Sequence, residues 1–381
     1  MTTKIKNGTL VLSDRTEQND LYITDGTISA VGGEHPFDNE IDAAGQYVAP
    51  GFIDMHVHGG AGFEFVDGTE EAVVNAVNIH ASRGTTTIFP TISAYDREKT
   101  ERAIRAVQAA MRNPNVKCHI GGVHLEGPYF SPKQCGAQDP TFIRTPDPGE
   151  YEAMISEFGS LIRRWSWAPE LPGSVAFLDC LKRHSIVASA GHTDAEFSHI
   201  SEMMEHGLDL VTHLYSCTST ITRRGGFRIL GVTECAYYFD DLDVEIIADG
   251  CHLPPELLKL VCKLKDAGHI SLITDAIRYA GCENIGSVSD RSGNVPYIIE
   301  DGVAKLADRS AFAGSIATAD VLVRTCVNKA GIALPSAVRM VTENPARVMG
   351  LSRKGKLEKG FDADIVFMDT ALNVTRVILG N

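Results

Sequence analysis

The chain has 381 residues, 44% apolar and 22% charged, enough for one large core plus a smaller satellite and unlike a disordered composition. Its 35 basic against 49 acidic residues give a formal charge of -14, which argues against nucleic acid or a membrane surface as partner and obliges an anionic ligand to find a local cationic pocket. Nine cysteines without Cys-x-x-Cys spacing point to reduced thiols, no apolar run is long enough for a bilayer, and Met1 to Gly8 lacks the pattern of a secretory leader, so a cytoplasmic protein is expected.

Residues 1–50 read as short strands: Thr9 to Leu12, Leu21 to Ile23 and Ile28 to Val31, with Asp25-Gly26 as a hairpin turn. Residues 355–381 return to that texture in Ile365 to Phe367 and Val374 to Leu379, so both chain ends are expected to build one small β-sandwich. Between them, in residues 51–354, strand-length apolar runs alternate with amphipathic helical segments, the pattern of a parallel sheet. After the run ending in Ile53, the sequence predicts strands at Thr85 to Phe89, Ile120 to Leu125, Ile186 to Ser189, Leu210 to Thr212, Asp243 to Ile247 and Ser271 to Ile273. Helices are predicted at Thr69 to Arg83, Asp96 to Met111, Gly173 to Arg183, Glu196 to His206, Pro254 to Ala267 and Ala317 to Ala330. About 300 residues of this alternation fit an α/β fold of the (β/α)8 TIM-like barrel type better than an open sheet.

Chemistry gathers at the predicted strand ends. His56 and His58, two apart on a strand, point the same way and can present two imidazoles to one point. Later strands end in His124-Leu125-Glu126-Gly127-Pro128, Gly191-His192, Thr212-His213, Asp249-Gly250-Cys251-His252 and Thr274-Asp275. A single strand-end histidine is usually just a hydrogen-bonded residue; six such places in one alternating chain point to a common site. Glu126, His192 and His213 make a nitrogen and oxygen set suited to zinc or a similar divalent ion with a position left open for water, and His56 and His58 can add a second site. Zinc leads, with iron, manganese or cobalt accepted by the same donors, as one or two ions. Asp275 is the candidate base, taking a proton from water and passing it to a leaving nitrogen; the competing reading is a helix cap. His124 shares a strand face with Glu126, as a partner behind the ligands or as core packing.

In order, Pro50-Gly51-Phe52-Ile53-Asp54, His56-x-His58, His124-Leu125-Glu126-Gly127-Pro128, Ala190-Gly191-His192, Thr212-His213-Leu214-Tyr215, Asp249-Gly250-x-His252 and Thr274-Asp275-Ala276 resemble the amidohydrolase superfamily along essentially the whole chain. The likeness is to the branch that hydrolyses the acetamide of N-acetylglucosamine 6-phosphate to glucosamine 6-phosphate and acetate. It implies a metal-dependent barrel, usually a homodimer, with Glu126, His192 and His213 as principal ligands and His56 and His58 matching members that carry a second metal. It further implies Asp275 as acid and base, His252 on the substrate, and Gln138 on the acetyl carbonyl, where an amide can donate to developing negative charge. Where the branch usually has Asn-Ala-Met at the phosphate, this chain has Ser216-Cys217-Thr218. Arg224, in Thr222-Arg223-Arg224-Gly225-Gly226-Phe227-Arg228, falls closest to the branch's phosphate arginine, often supplied by the neighbouring subunit, and a guanidinium suits phosphate. That segment reads as a flexible loop, whose plain alternative is a solvated turn.

Two other readings stand beside this one. A related hydrolase would act on a different N-acyl sugar or a cyclic amide, although cyclic-amide members commonly bridge their metals with a modified lysine where Glu126 stands here. A silent barrel would serve as a binding or scaffold subunit, against which the retained ligands and Asp275 argue.

Overall fold

Asp25 and Gly26 both take left-handed backbone, φ 48° and 73°, and close a hairpin between strands Leu21–Thr24 and Thr27–Val31. The computed structural model describes residues 1–283, 285, 288–292 and 294–380. That hairpin belongs to a four-stranded sheet with Thr2–Lys6 and Asn39–Asp42. A second sheet of five strands joins the two chain ends: Ile365–Met368 pairs antiparallel with Tyr47–Pro50 on one side and with Val374–Ile378 on the other. Ile5, Leu21, Ile23 and Ile28 from the first sheet and Leu10, Val48, Ile365 and Phe367 from the second share one apolar core.

Tyr47–Pro50 leads directly into the first of eight parallel strands: Phe52–Val57, Thr85–Ile92, Val123–Glu126, Ile162–Trp167, Val187–Ala190, Leu210–Val211, Asp243–Ile247 and Ile270–Ile273. Between each strand and the next lies a helix: Glu70–Ser82, Arg97–Ala110, Pro148–Phe158, Ser174–Arg183, Phe197–Glu205, Val232–Tyr238 and Pro255–Leu264, with Ala319–Arg324 after the eighth. Several begin on local caps, such as Asp96 accepting from Lys99 N at 2.8 Å. The fourth strand was not among those predicted, and the third is interrupted at Gly121-Gly122, whose neighbours His119–Ile120 and Val123–Glu126 both pair with the second strand.

The eighth strand returns to the first. Thr274 Oγ1 donates to Asp54 Oδ2 at 2.5 Å, Asp275 N donates to His56 O at 2.9 Å, and the amides of His58 and Gly59 both donate to Ala276 O at 2.8 Å. The resulting barrel is nearly closed, and its interior is layered. Ile53, Met55, Phe89 and Leu210 lie toward the bottom, in one apolar cluster with Ala346 and Met349. Above them lies a buried polar layer, and above that, at the carboxyl ends of the strands, the candidate site.

Two segments stand outside the repeating pattern. Thr222–Arg224 and Phe227–Ile229 form a small hairpin turned by Gly225 and Gly226, φ 56° and 89°, rather than the expected flexible loop. After the eighth strand comes an antiparallel sheet of Val288–Ser292, Val295–Glu300 and Val303–Leu306. All nine cysteines are free, and among the described residues no helix is long and apolar enough to cross a membrane.

Candidate metal centre and active site

Successive barrel strands deliver the predicted ligands to one place. His56 lies on the first strand with His58 just beyond it, Glu126 ends the third, and His192, His213 and Asp275 stand two residues past the fifth, sixth and eighth. His192, His213 and Asp275 take positive φ, 47°, 29° and 47°, a conformation uncommon outside glycine and gathered at functional sites. It turns each side chain back over the mouth instead of letting it continue the strand's alternation.

The donor atoms converge. Glu126 Oε1 is 3.2 Å from His192 Nε2, 3.0 Å from His213 Nε2 and 3.3 Å from His56 Nε2, while Oε2 is 3.3 Å from His58 Nε2. Two groups of metal-binding geometry therefore share this carboxylate: Glu126 with His192 and His213, and Glu126 with His56 and His58. Asp275 Oδ1 lies 3.1 Å from His58 Nε2 and 3.5 Å from His56 Nε2.

The outer nitrogens fix which lone pairs face inward. His192 Nδ1 donates to Gln134 O at 2.9 Å and His213 Nδ1 donates to Ser216 O at 3.0 Å. In the neutral rings both Nε2 atoms then carry lone pairs, yet they stand 3.2 Å apart, with Glu126 Oε1 beside both. Two lone pairs and a carboxylate oxygen facing one point repel unless a cation sits among them, so the residues fit a divalent ion. His56 Nε2 is likewise buried without a hydrogen-bond partner.

Without an ion, protons compensate the two carboxylates. Burial opposes charge on His56, but Glu126 and Asp275 outweigh it and raise its pKa to about 9. For His58 burial again opposes, and hydrogen bonds to Asp275 and Glu126 raise the pKa to about 10. Burial works against the Asp275 anion too, yet His56 and His58 hold its pKa near about 2. Burial pulls His213 below the usual imidazole value.

Beneath the candidate ligands lies an ionic layer that the sequence reading missed. Arg164, on the fourth strand, pairs through both terminal nitrogens with Glu245 on the seventh, each fully buried. Arg164 Nη2 also donates to Ser189 Oγ at 3.1 Å and Thr212 Oγ1 at 3.0 Å, and Glu245 Oε2 accepts from His56 Nδ1 at 3.3 Å. Burial alone would push the Glu245 carboxyl up; Arg164 and His56 reverse this and hold it below the usual range. His124 sits in this layer, between Thr91 Oγ1 at 3.1 Å and Ser166 Oγ at 2.8 Å, kept neutral by burial and by Arg164. Glu245, between Val244 and Ile246 in a buried strand, was the available signal, because a buried carboxylate demands a partner.

A cavity of about 600 Å³ opens above the site. Gln138, Ser216, Cys217 and His252 line it with His58, Glu126, His192, His213 and Asp275. Gln138 Oε1 accepts from Ala94 N at 2.9 Å, which fixes the amide so that Nε2 donates to Glu126 Oε2 at 2.8 Å. Its first role in this structure is thus to orient the shared carboxylate. His252 Nδ1 lies 2.7 Å from Asp249 Oδ2, and its ring packs on Phe312 with centroids 4.6 Å apart. Arg224 is not brought here: largely exposed on its hairpin, it pairs with Glu196 and does not line the cavity.

Comparison with known proteins shows the family. The profile of the Amidohydrolase family matches residues 47–380. The chain is 31% identical to the N-acetylglucosamine-6-phosphate deacetylase of Lysinibacillus sphaericus over 378 residues, 98% of this chain and 95% of the relative. It is 29% identical to the N-acetylgalactosamine-6-phosphate deacetylase of Escherichia coli O157:H7, covering 95% and 93%. Among solved structures, a variant of the Mycobacterium smegmatis N-acetyl-D-glucosamine-6-phosphate deacetylase in complex with N-acetyl-D-glucosamine-6-phosphate superposes with a TM-score of 0.89 at 30% identity, covering 100% of this chain and 97% of that one.

Proposed function

The chain belongs to the amidohydrolase family, and from that premise we propose that it removes the acetyl group of N-acetylglucosamine 6-phosphate, giving glucosamine 6-phosphate and acetate. Glu126, His192 and His213 would hold a divalent ion, with His56 and His58 offering a second position against the same carboxylate. When bound there, such an ion supplies Lewis-acid polarisation of the amide carbonyl and makes water acidic near neutral pH.

The chain's own groups do the rest. Asp275, ionised at neutral pH, accepts the proton of the attacking water and returns it to the leaving nitrogen. Its backbone is pinned, N to His56 O and O to Ser315 N, both at 2.9 Å, so the carboxylate keeps its place through the transfer. The Gln138 amide offers its second N–H to the carbonyl oxygen, and His252, anchored by Asp249, offers Nε2 to the sugar. Ser216 and Cys217 present their side chains from the loop whose backbone also fixes His213.

We place the working unit as a homodimer. Ile221, Phe227 and Tyr238 are exposed apolar side chains in or close in sequence to the arginine hairpin, with Phe227 77% exposed, and a second copy is how Arg224 would meet a substrate. The observation that carries the catalytic reading is the convergence of four imidazole nitrogens on one carboxylate beside Asp275. Its test is metal analysis of the purified protein followed by acetate release from N-acetylglucosamine 6-phosphate, its galacto epimer and the unphosphorylated sugar. Acetate from the gluco phosphate ahead of the others is expected; a protein that retains no ion, or releases no acetate, refutes it. The Escherichia coli relative favours the epimer as the second reading.

A further inference from the structure

Two cations in the cavity wall have no part in the chemistry above. Among the lining residues, Lys305 and Arg309 are the lysine and arginine present, and the arginines of the hairpin Thr222–Ile229 are absent. Lys305 belongs to strand Val303–Leu306 of the sheet inserted after the eighth barrel strand, and Arg309 to the turn that follows. That turn is unusual: Arg309 has φ 62°, in the left-handed region, with its amide donating to Leu306 O at 2.8 Å. A long side chain is uncommon in that region, and here the turn is what places Arg309 in the cavity wall.

The two cations adjoin the residues already placed around the sugar. Lys305 is bridged to Phe312, and Phe312 packs on His252 at 4.6 Å. The same loop touches the sheet a second time through Cys251 Sγ, 3.9 Å from Asp301 O. Lys305 and Arg309 therefore stand on the His252 side of the cavity.

Their present partners leave room for a stronger one. Glu300 takes Arg309 through Nε at 2.8 Å and Nη2 at 3.2 Å, which orients the guanidinium and leaves Nη1 without a contact to this carboxylate. Lys305 Nζ lies 3.2 Å from Glu300 and 2.6 Å from Asp301, whose side chain is 79% exposed. An exposed ion pair is weak, whereas a phosphate monoester brings up to two charges and three acceptor oxygens. In a chain of net charge -14 an anionic substrate gains nothing from the overall field and depends on such local cations.

We propose that Lys305 and Arg309 are the grip, within one chain, for the phosphate end of the substrate: the phosphate replaces Asp301 on Lys305 and meets Nη1 of Arg309, while Glu300 keeps the guanidinium in place. This rests on the deacetylase reading and gives that site its selectivity for a phosphorylated sugar. The test compares Lys305→Met, Arg309→Met and Arg224→Met in the metal-loaded protein, reading kcat/KM for N-acetylglucosamine 6-phosphate over N-acetylglucosamine. Each of the first two should lower that ratio about 10- to 100-fold, the worth of one charged hydrogen bond. An unchanged ratio in both, or a fall in Arg224→Met alone, overturns the proposal and leaves the deacetylase reading standing. If neither sugar is hydrolysed, calorimetric titration with glucosamine 6-phosphate and with inorganic phosphate decides separately: binding lost in Lys305→Met and Arg309→Met upholds the anion grip without the reaction, and no binding to the unaltered protein overturns it.

Discussion

Replacing Arg164 by Met isolates the ionic layer beneath the candidate metal ligands. Methionine keeps most of the length and apolar bulk, so the main loss is the cation that faces Glu245, along with its hydrogen bonds to Ser189 and Thr212. Breaking a fully buried pair by removing one partner costs about 3–5 kcal/mol, because the other charge stays in a low-dielectric interior. Glu245, no longer held below the usual range, should take up a proton near neutral pH and become a poorer acceptor for His56 Nδ1. Metal affinity at the His56 and His58 position should then fall about 10- to 100-fold, as when other outer partners of a metal ligand are lost. Trp165 and Trp167, the chain's two tryptophans, are buried on the same strand as Arg164, so their fluorescence reports urea unfolding at this spot. The double variant Arg164→Met, Glu245→Gln removes both charges and should recover at least half of the lost stability. A single variant as stable as the parent, or a double variant no better than the single, would refute the claim that charge compensation is what the layer provides.

Asp275→Asn should retain metal by elemental analysis and lose about 100- to 10,000-fold in turnover, the usual worth of general acid–base catalysis; an active variant removes Asp275 from the mechanism. Glu126→Gln should empty both ligand groups together because they share this carboxylate, and retention of a full ion complement would contradict the shared geometry. Proton release on metal addition should follow from His56 and His58, whose pKa values of about 9 and about 10 exceed the unfolded value near 6.5. By the same linkage, metal-free protein should carry their stabilising contribution in full below about pH 6.5 and lose it as the pH rises through 9 to 10. Calorimetry in buffers of different ionisation enthalpy and thermal unfolding across that range check the pair; a metal-free protein that grows more stable toward pH 10 contradicts it.

The candidate ligands were legible because each stands at the end of an apolar run and most are followed or preceded by glycine, a local signal. Asp243–Ile247 was predicted to the residue, its Val244, Ile246 and Ile247 standing between turn signals. Ile162–Trp167 was not, since Arg163-Arg164 breaks the apolar run, and Arg164 makes sense only through Glu245, 81 residues away. The arginine hairpin was open to a sequence reading, Gly225-Gly226 being a two-residue turn, but the side-chain pairing of Arg224 with Glu196 was not. Gln138 shows the same limit. Its neighbours suggest a cavity residue, while its anchoring to Ala94 and Glu126 arises only when the second and third strands meet.

The left-handed backbone at His192, His213 and Asp275 carries a practical lesson for anyone dissecting this centre. Alanine or valine at those places would remove the functional group and also fight the local chain geometry, so a dead protein would report two injuries at once. Asparagine tolerates that geometry at little cost and cannot act as the native group does, which makes it the replacement of choice at all three. A knockout series built on asparagine would distinguish loss of chemistry from collapse of the scaffold, position by position.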